Sequence, residues 1–598
     1  MCGIAGSFGL RRNQPDRGFA LAACAAMVHR GPDEHGSFDD ERISLAMCRL
    51  KILGLVGGEQ PAFSSDRSVV AVVNGEIYNH HQLRALLESR GRRVEGTSDV
   101  HVIPELYREF GLDFVDHLHG MFAVALYDSA RERLILATDR VGKKPIYLSA
   151  HSQEIVFASE LTALRRHPQV STDVNPEALD QYLSFRIVGA PSSIFGGVER
   201  VRPATVIEFD RDGQRTDHEY WTFPFTGDGS STVDDIDDLL VAAVDARLES
   251  AVPLGAMLSG GLDSSLVVAL ASRRLGRGLH TFSVGFDHPA FDESAQARLV
   301  ADAFGTHHHT VTLTADDALA SLDRVLEHTG EPFAFPSAIA SDAMYRLASE
   351  HVTVVLTGDG SDEIFCGYGR YSRLLQTSGG DLDRRYADVL VDGVPTETKH
   401  RIYSDRFRDT LPGHPIDHLR GRFASTDPAT ADLDRAMAVD SRFWLADAQL
   451  VKIDRMSMAH SIEPRSPFLD HRLIEHVARI PASRKLVDGE EKVLLKQVAA
   501  RYLPESIVTR RKQELAVPLE AWLGATLRRE IDTTLLSDRA LERGYFDPDA
   551  LRRFVTDADG SDSYALWTLF VLERWHRLHV DQDSAASAHD RPLISATI

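Results

Sequence analysis

The sequence predicts a multidomain chain of class α+β/α/β, a strand-rich layered unit followed by a parallel-sheet unit. Three observations predict it. At 598 residues the chain exceeds what one hydrophobic core organises, so two large or three smaller domains are expected. Roughly residues 1–210 carry short apolar runs broken by turn residues, whereas the chain after residue 232 alternates apolar runs with helical segments. Between them, Phe223 to Ser231 is rich in Gly, Pro, Ser and Thr, the composition of a linker. The expected divisions are a domain over 1–215, a linker over 216–232, a domain over 233–581 and a flexible tail over 582–598.

In the first unit, Val69-Val-Ala-Val-Val73 reads as a strand ending at Asn74-Gly75, and Met121 to Tyr127 as a second strand entered after a glycine. Leu134 to Ala137 and Ile155 to Ala158 read as two more, while Leu83 to Ser89 and Glu160 to Arg165 have helical composition. In the second unit, helical Val233 to Leu248 leads to the apolar run Val252-Pro-Leu-Gly-Ala-Met-Leu258, a glycine loop, and helix-like Ser264 to Leu270. Thr281 to Phe286 is a strand before helical Ser294 to Phe304, and the strand Val352 to Leu356 runs into Thr357-Gly-Asp-Gly360. This alternation predicts parallel pairing. Residues 371–440 are polar and read as helices with loops. His307-His-His309 reads as the start of an exposed or partly packed strand in preference to a metal site.

Composition narrows the function classes. Apolar residues at 43% and charged residues at 26% describe an ordinary soluble protein. A net charge of -22 opposes nucleic-acid backbones, and no basic segment offsets it. Acidic substrates therefore need local Arg, Lys, backbone N–H groups or metal. The four cysteines, Cys2, Cys24, Cys48 and Cys366, form no CxxC pair and suit a reducing compartment. No signal-like or membrane-spanning run is present, so a cytoplasmic protein without a membrane partner is expected.

Ser259-Gly-Gly-Leu-Asp-Ser264, set between strand and helix, has a physical use. Small residues let the backbone approach phosphates, and the helix start offers N–H groups and a favourable dipole. It lacks the Gly-Lys-Ser/Thr of a Walker loop and is no GxGxxG. Asp263 repels phosphate by itself, which points to magnesium bridging phosphate oxygens. Gly358-Asp-Gly-Ser-Asp362, after another strand, adds a second carboxylate loop and suggests a metal–phosphate crevice. The competing reading is a tight strand-to-helix turn capped by Ser264.

With these motifs the chain resembles the glutamine-dependent asparagine synthetase family of bacterial type. The glycine loop resembles the pyrophosphate loop of ATP pyrophosphatases. The likeness continues through Phe282-Ser-Val-Gly-Phe286, Pro336-Ser337, Leu356-Thr-Gly-Asp-Gly-Ser-Asp-Glu363 and Leu450-Val-Lys-Ile-Asp-Arg455, and covers essentially residues 1 to 580. It implies an N-terminal four-layer-like Ntn hydrolase sandwich plus a C-terminal parallel-sheet adenylating domain, with ATP and Mg2+ as cofactors and L-glutamine and a carboxylate acceptor, by default L-aspartate, as partners. A homodimer is also implied.

For the N-terminus the resemblance implies a glutaminase. With Met1 removed, Cys2 would carry both the thiol and the α-amine that manages its proton. Asn74 and Gly75 match the oxyanion hole, Arg49 the partner of glutamine's α-carboxylate, and Glu76 and Asp99 the partners of its α-ammonium. Leu50, Lys51, Ile52 and Leu53 would line the pocket, with His29-Arg-Gly-Pro-Asp33 as a shaping loop and His29 in packing or hydrogen bonding. In the synthetase half the acceptor would attack the α-phosphate of ATP, and ammonia would displace AMP. Asp263 and Asp362 would hold magnesium. Leu258, Ser259, Gly260, Gly261, Ser264, Val284, Thr357 and Gly358 would surround ATP with Asp263. Asp359 would orient the intermediate or meet ammonia, and Lys452 would steady pyrophosphate. Asp454 and Arg455 would position the helix, Arg465 would be a charge partner or a ligand, and Lys492 and Lys496 would add positive potential.

Departures from the family pattern bear on the acceptor. They are Met47-Cys-Arg-Leu50 followed by Lys51, Ser250-Ala-Val-Pro253, Ile462-Glu-Pro-Arg465 and Lys512-Gln-Glu-Leu515. Glu514 and Leu515 change charge and shape where Gly-Phe is common. The alternative within the same chemistry is an amidotransferase for a non-aspartate carboxylate in natural-product or cell-wall biosynthesis. Ring closure, a silent relative of the fold and an RNA-modifying enzyme fit less well, because Cys2, Asn74, Asp263 and Asp362 all remain and the chain is acidic.

Overall fold

The computed structural model describes residues 2–390, 393–413, 416–510 and 516–581. Two six-stranded antiparallel sheets lie face to face in its first part. One runs, in spatial order, Glu199–Arg200, Tyr147–Ala150, Glu154–Ala158, Cys2–Gly9, Ile43–Arg49 and Glu34–Asp39. The other runs Arg215–Glu219, Thr205–Phe209, Arg133–Thr138, Gly120–Asp128, Val69–Ile77 and Ala62–Phe63. Strand alternation sends Ile4, Phe8, Leu45 and Met47 against Val70, Val72, Ala123 and Ala125 between the sheets. The opposite faces are covered as well. The helix Arg17–Ala26 lays Phe19, Ala20 and Ala23 near Ala5 and Ala46, while Leu83, Leu87, Ile103 and Leu106 cover Val69, Ala71 and Val73. The result is a four-layer helix–sheet–sheet–helix unit. Each fully buried Leu, Ile or Phe contributes about 1.5–3 kcal/mol to it.

The strand expected to stop at Asn74-Gly75 instead runs to Ile77. Asn-Gly turns a hairpin only when both residues take positive φ, and neither does here. Gly75 faces Phe122 across the ladder, where a Cβ would stand 2.1 Å from the Met121 carbonyl oxygen. Close strand approach, not a turn, requires this glycine. Alternation then puts Asn74 on the face of Val70 and Val72, toward the sheet that begins at Cys2.

The second part holds five parallel strands in the order His307–Leu313, His280–Phe286, Leu254–Met257, Val354–Leu356 and Glu463–Arg465. Thr232 and Asp235 close the helix Val233–Ala246 with a reciprocal capping box, and Ser294–Phe304 is helical as expected. The strand Glu463–Arg465 escapes sequence reading because Pro464 argues against a strand interior; at the sheet edge proline is tolerated. Strand order reverses at Leu254–Met257 and Val354–Leu356, so the two connections that follow diverge and leave a crevice beyond the strand ends. Those connections are the two carboxylate-bearing glycine loops. Residues 382–390, 396–402, 416–424 and 432–440 are helical, in line with the reading of 371–440. Among the described residues no helix is long and apolar enough to cross a membrane.

Candidate active site

Cys2 and Arg49 face each other in register on neighbouring strands. The Cys2 backbone N donates to Asn74 Oδ1 at 2.9 Å. This leaves Asn74 Nδ2, fully buried, without a hydrogen-bond partner among the described residues. An orphaned buried donor costs about 1–3 kcal/mol, a cost recovered when an acceptor arrives. Gln60 Nε2 stands 3.9 Å from Cys2 Sγ, and Arg30 Nε donates to the Cys2 carbonyl at 3.1 Å. Burial pushes the Cys2 thiol up to about 11, only partly offset by nearby positive charge including Arg49. The sulfur is therefore a thiol near neutrality and needs a base to become a nucleophile.

The other expected glutamine residues gather at the same end of the sandwich. Arg49 is buried, with Nη1 2.9 Å from Glu34 and Nη2 donating to the Leu53 and Gly54 carbonyls at 2.9 and 3.0 Å. Asp99 accepts from Ile77 N and Ser98 Oγ, each at 2.7 Å. Glu76 is engaged by Arg465 Nη2 of the second part at 3.2 Å. Burial raises the Glu76 carboxyl well above the usual range; Arg465 opposes the rise and Asp99 adds to it. Lys51 pairs loosely with Glu34 at 3.6 Å. Leu50 and Ile52 pack with Met121, Val354 and Met458, with Leu53 at the margin, in an apolar cluster that bridges the two parts. His29 Nε2 meets Glu160 at 3.2 Å and packs edge-on to His328, in keeping with packing and hydrogen bonding.

In the crevice of the parallel sheet, Leu258 N donates to the Phe282 carbonyl at 2.8 Å and ends the strand. Gly260 takes φ of 78°, and a Cβ there would stand 2.6 Å from Ala297 N. Gly261, not Ser264, occupies the N-cap position of the helix Leu262–Leu275. Ser264 Oγ folds back to accept from Ser259 N at 3.2 Å. The second loop touches the first: a Cβ on Gly358 would lie 3.0 Å from Ser264 N, and Ser361 Oγ donates to Asp263 at 2.8 Å. Thr357 N donates to the Arg465 carbonyl at 2.9 Å, and Val284 is buried on the adjacent strand His280–Phe286.

Asp263 and Asp362 converge on one cation, Lys492 Nζ, at 2.5 and 2.7 Å. Burial alone would lower that ammonium's pKa, but the two carboxylates raise it above the ordinary lysine range. The two carboxylates are hard oxygen donors of the kind Mg2+ takes, and holding the ion would require the Lys492 ammonium to move from between them. Lys452 Nζ donates to Gln449 Oε1 at 2.7 Å and reaches Ser337 Oγ at 3.4 Å. Burial lowers its pKa, while Asp359 and Glu363 oppose that shift, so Lys452 and Asp359 share one electrostatic neighbourhood. Lys496 pairs with Glu490 at 2.7 Å, nearer the surface. Lys512, Glu514 and Leu515 lie outside the described residues; Arg510, just before them, donates to the Gly260 carbonyl at 3.2 Å.

Sequence reasoning missed the groups that join the two sites. Lys143, in the loop before Tyr147–Ala150, crosses from the first part and donates to Ser466 Oγ at 2.9 Å; Ser466 in turn meets Thr357 Oγ1 at 2.7 Å. Burial pulls the Lys143 ammonium down to about 7, helped by Lys144 and opposed by Asp359. Arg30 lies 2.8 Å from Glu160 and 2.9 Å from Asp454, and Lys144 lies 3.0 Å from Asp454, all of them buried. Asp454 shares the helix Leu450–Met458 with Lys452. A buried ionic chain therefore runs from the carbonyl of Cys2 to the helix beside the crevice. Arg465 is a structural charge partner, tied to Glu463 at 2.7 Å and to the Arg247 and Glu249 carbonyls. No local signal in the sequence around Lys143-Lys144 reveals their burial.

Comparisons with known proteins agree with this two-site architecture. A glutamine amidotransferase domain model matches residues 1–221, and the asparagine synthase model matches residues 235–577. Asparagine synthetase [glutamine-hydrolyzing] 1 of Bacillus subtilis is 29% identical, covering 97% of this chain and 97% of its own. Asparagine synthetase [glutamine-hydrolyzing] 3 of the same organism is 30% identical, covering 91% and 93%. Amidase chyE of Penicillium rubens is 28% identical, covering 89% of each. With more than half of its length matched by one family model and most of the remainder by the other, the chain belongs to the asparagine synthase family and carries an N-terminal glutamine amidotransferase domain.

Proposed function

We propose that this chain is a glutamine-hydrolysing, ATP-consuming ligase that converts a carboxylic acid, by default L-aspartate, to its amide with release of AMP and pyrophosphate. The observation that carries the reading is the convergence of Asp263 and Asp362, from two strand-end loops, on the Lys492 ammonium, which brings two carboxylates together beside the glycine loop. The similarity to bacterial asparagine synthetases supports aspartate as the acceptor.

In the glutaminase half, the α-amine of Cys2, freed by removal of Met1, takes the thiol proton. The sulfur attacks the glutamine side-chain carbonyl, and the oxyanion is received by Asn74 Nδ2 and the Gly75 N–H. The proton passes to the departing amine, ammonia leaves, and water then cleaves the γ-glutamyl thioester. Arg49 holds the α-carboxylate by sharing its guanidinium with Glu34. Asp99 uses two acceptor positions internally and keeps others for the α-ammonium. Glu76 contributes there at longer range, since Arg465 engages it.

In the synthetase half, the loops from Leu258 to Ser264 and Thr357 to Gly358, with Val284, surround ATP. Mg2+ between Asp263 and Asp362, when bound, supplies charge neutralisation to the pyrophosphate group. An acceptor carboxylate oxygen attacks the α-phosphorus and pyrophosphate leaves, steadied by Lys452 and Lys492. Ammonia then attacks the acyl carbon, AMP leaves, and Asp359 orients the incoming nitrogen. Ammonia in water near neutral pH is mostly ammonium and not nucleophilic, so the reaction needs a sheltered passage between the two sites, and the apolar cluster of Leu50, Ile52, Met121, Val354 and Met458 lies where the two parts meet. The free cysteines suit a reducing cytoplasm. Sedimentation tests the homodimer that the family implies.

An acceptor other than aspartate is the second reading, favoured by the fungal amidase relative at near full-length coverage. Both are tested together by incubating purified protein with glutamine, Mg-ATP and a panel of carboxylic acids, resolving AMP, ADP and amide by mass. Aspartate-dependent AMP and asparagine are expected. AMP and amide with another acid alone would move the assignment to that acceptor. Formation of ADP in place of AMP would overturn the adenylation chemistry.

A further inference from the structure

Three imidazoles from three separate elements meet at the end of the parallel sheet remote from the nucleotide loops. His280 opens the strand His280–Phe286, His309 lies two residues into His307–Leu313, and His351 stands between the helix Ser337–Ser349 and the strand Val354–Leu356. His280 is in register with Gly255, four residues before Ser259, which separates the group from the glycine loop by about 13 Å of strand. His280 Nδ1 lies 3.1 Å from His309 Nε2, and the ring of His351 lies 4.0 Å from that of His309. One nitrogen of each ring falls within 4.8 Å of the other two.

We propose that His280, His309 and His351 form a binding site for a borderline divalent transition ion of the Zn2+ class, with a fourth position for water or His307. A tetrahedral ion with Zn–N bonds of about 2.0–2.1 Å spaces its ligand nitrogens about 3.3–3.4 Å apart, close to the His280–His309 separation. The existing contact between those two rings needs one shared proton, and the ion takes its place. His351 is half-buried with its ring stacked on that of His309, and a turn about its side-chain bonds would bring a nitrogen onto the ion. His307 reaches from the same strand face as His309, its ring 5.3 Å from that of His280. His308 points the other way, bonded to Thr281 and Ser283, and takes no part.

The donor chemistry selects the ion. The group contains no carboxylate, so Mg2+ and Ca2+ find no hard oxygen ligands, whereas neutral imidazoles suit Zn2+, Cu2+ and Ni2+. With an ordinary pKa of about 6.5, histidine offers its lone pair at slightly alkaline pH. The ion would tie two neighbouring strands to the segment entering a third, so its effect falls on the stability of this sheet edge. The expected run at His307 to His309 does begin a strand, and the further ligands come from positions that sequence spacing does not connect.

The test uses full-length protein stripped with a chelator, then titrated with Zn2+ alone against a chromophoric indicator at pH 7.5, with melting followed in parallel. One ion per chain and a higher melting temperature with Zn2+ are expected. His351→Ala and His309→Ala should each weaken binding roughly tenfold or more. His81→Ala, in the separate group of His80, His81 and Glu249, should leave it unchanged. Binding equally tight in His351→Ala and His309→Ala, or no Zn2+ bound to the unaltered protein, overturns the proposal. Unaltered circular dichroism of each variant without metal shows that the fold is intact and keeps the comparison decisive.

Discussion

The side chain of Asn74 has its oxygen bonded to the Cys2 nitrogen and its amide nitrogen buried and, among the described residues, unpaired. A donor held in this way strengthens as negative charge develops on an adjacent carbonyl, which the ground state does not offer. Asn74→Ala is expected to lower kcat for glutamine hydrolysis by about 10²–10³-fold, leaving AMP formation driven by added ammonia intact. Steady-state assays with each nitrogen source check it. Lys143 carries a different signature, because its folded pKa of about 7 lies below the unfolded value of about 10.4. The unfolded chain then binds more protons between those values, so the lysine's cost to stability is full below pH 7 and fades as pH rises toward 10. Lys143→Met should therefore melt above the unaltered protein at pH 6.5, and the gap should shrink by pH 9.5. A gap independent of pH would place Lys143 in a charged state throughout.

At the scale of elements, the loop after Leu254–Met257 is legible in sequence because its demands are local. Small residues, a strand before and a helix after are enough to suggest a phosphate cradle, and the fold places Gly260 at positive φ against the backbone of Ala297. Gly260→Ala should cost about 1–3 kcal/mol from the left-handed conformation, with the backbone contact adding to it. Denaturant titration measures this, and ATP-dependent turnover should fall while glutamine hydrolysis persists. Two elements were less legible. Asn74-Gly75 resembles a turn but continues a strand, since the requirement for glycine comes from Met121 on the neighbouring strand. Glu463–Arg465 contains a proline that only its edge position permits. In both cases the deciding partner is remote in sequence.

For the whole molecule, the buried chain Arg30–Asp454–Lys144 joins the glutaminase nucleophile to the helix of the crevice. Its value depends on complete pairing, because removing one partner leaves uncompensated charge in a poorly hydrated interior. Asp454→Asn leaves Arg30 and Arg455 with Glu160 and takes from Lys144 the carboxylate it pairs with, and should destabilise the protein by about 3–5 kcal/mol. It should also raise the number of glutamines hydrolysed per AMP formed, measured by mass balance of glutamate and AMP. Unchanged stoichiometry with lowered stability would reduce the network to a structural role. By itself the sequence determined the two-part architecture, the alternating parallel sheet and the Cys2 and glycine-loop motifs, because strand period, turn composition and motif spacing are local properties. Only the tertiary structure decided that Lys492 closes Asp263 onto Asp362, that Arg465 engages Glu76, that Lys143 crosses between the parts and that three distant histidines meet. Charge pairing, burial and desolvation depend on which side chains are brought together through space, and separation along the chain carries no record of that.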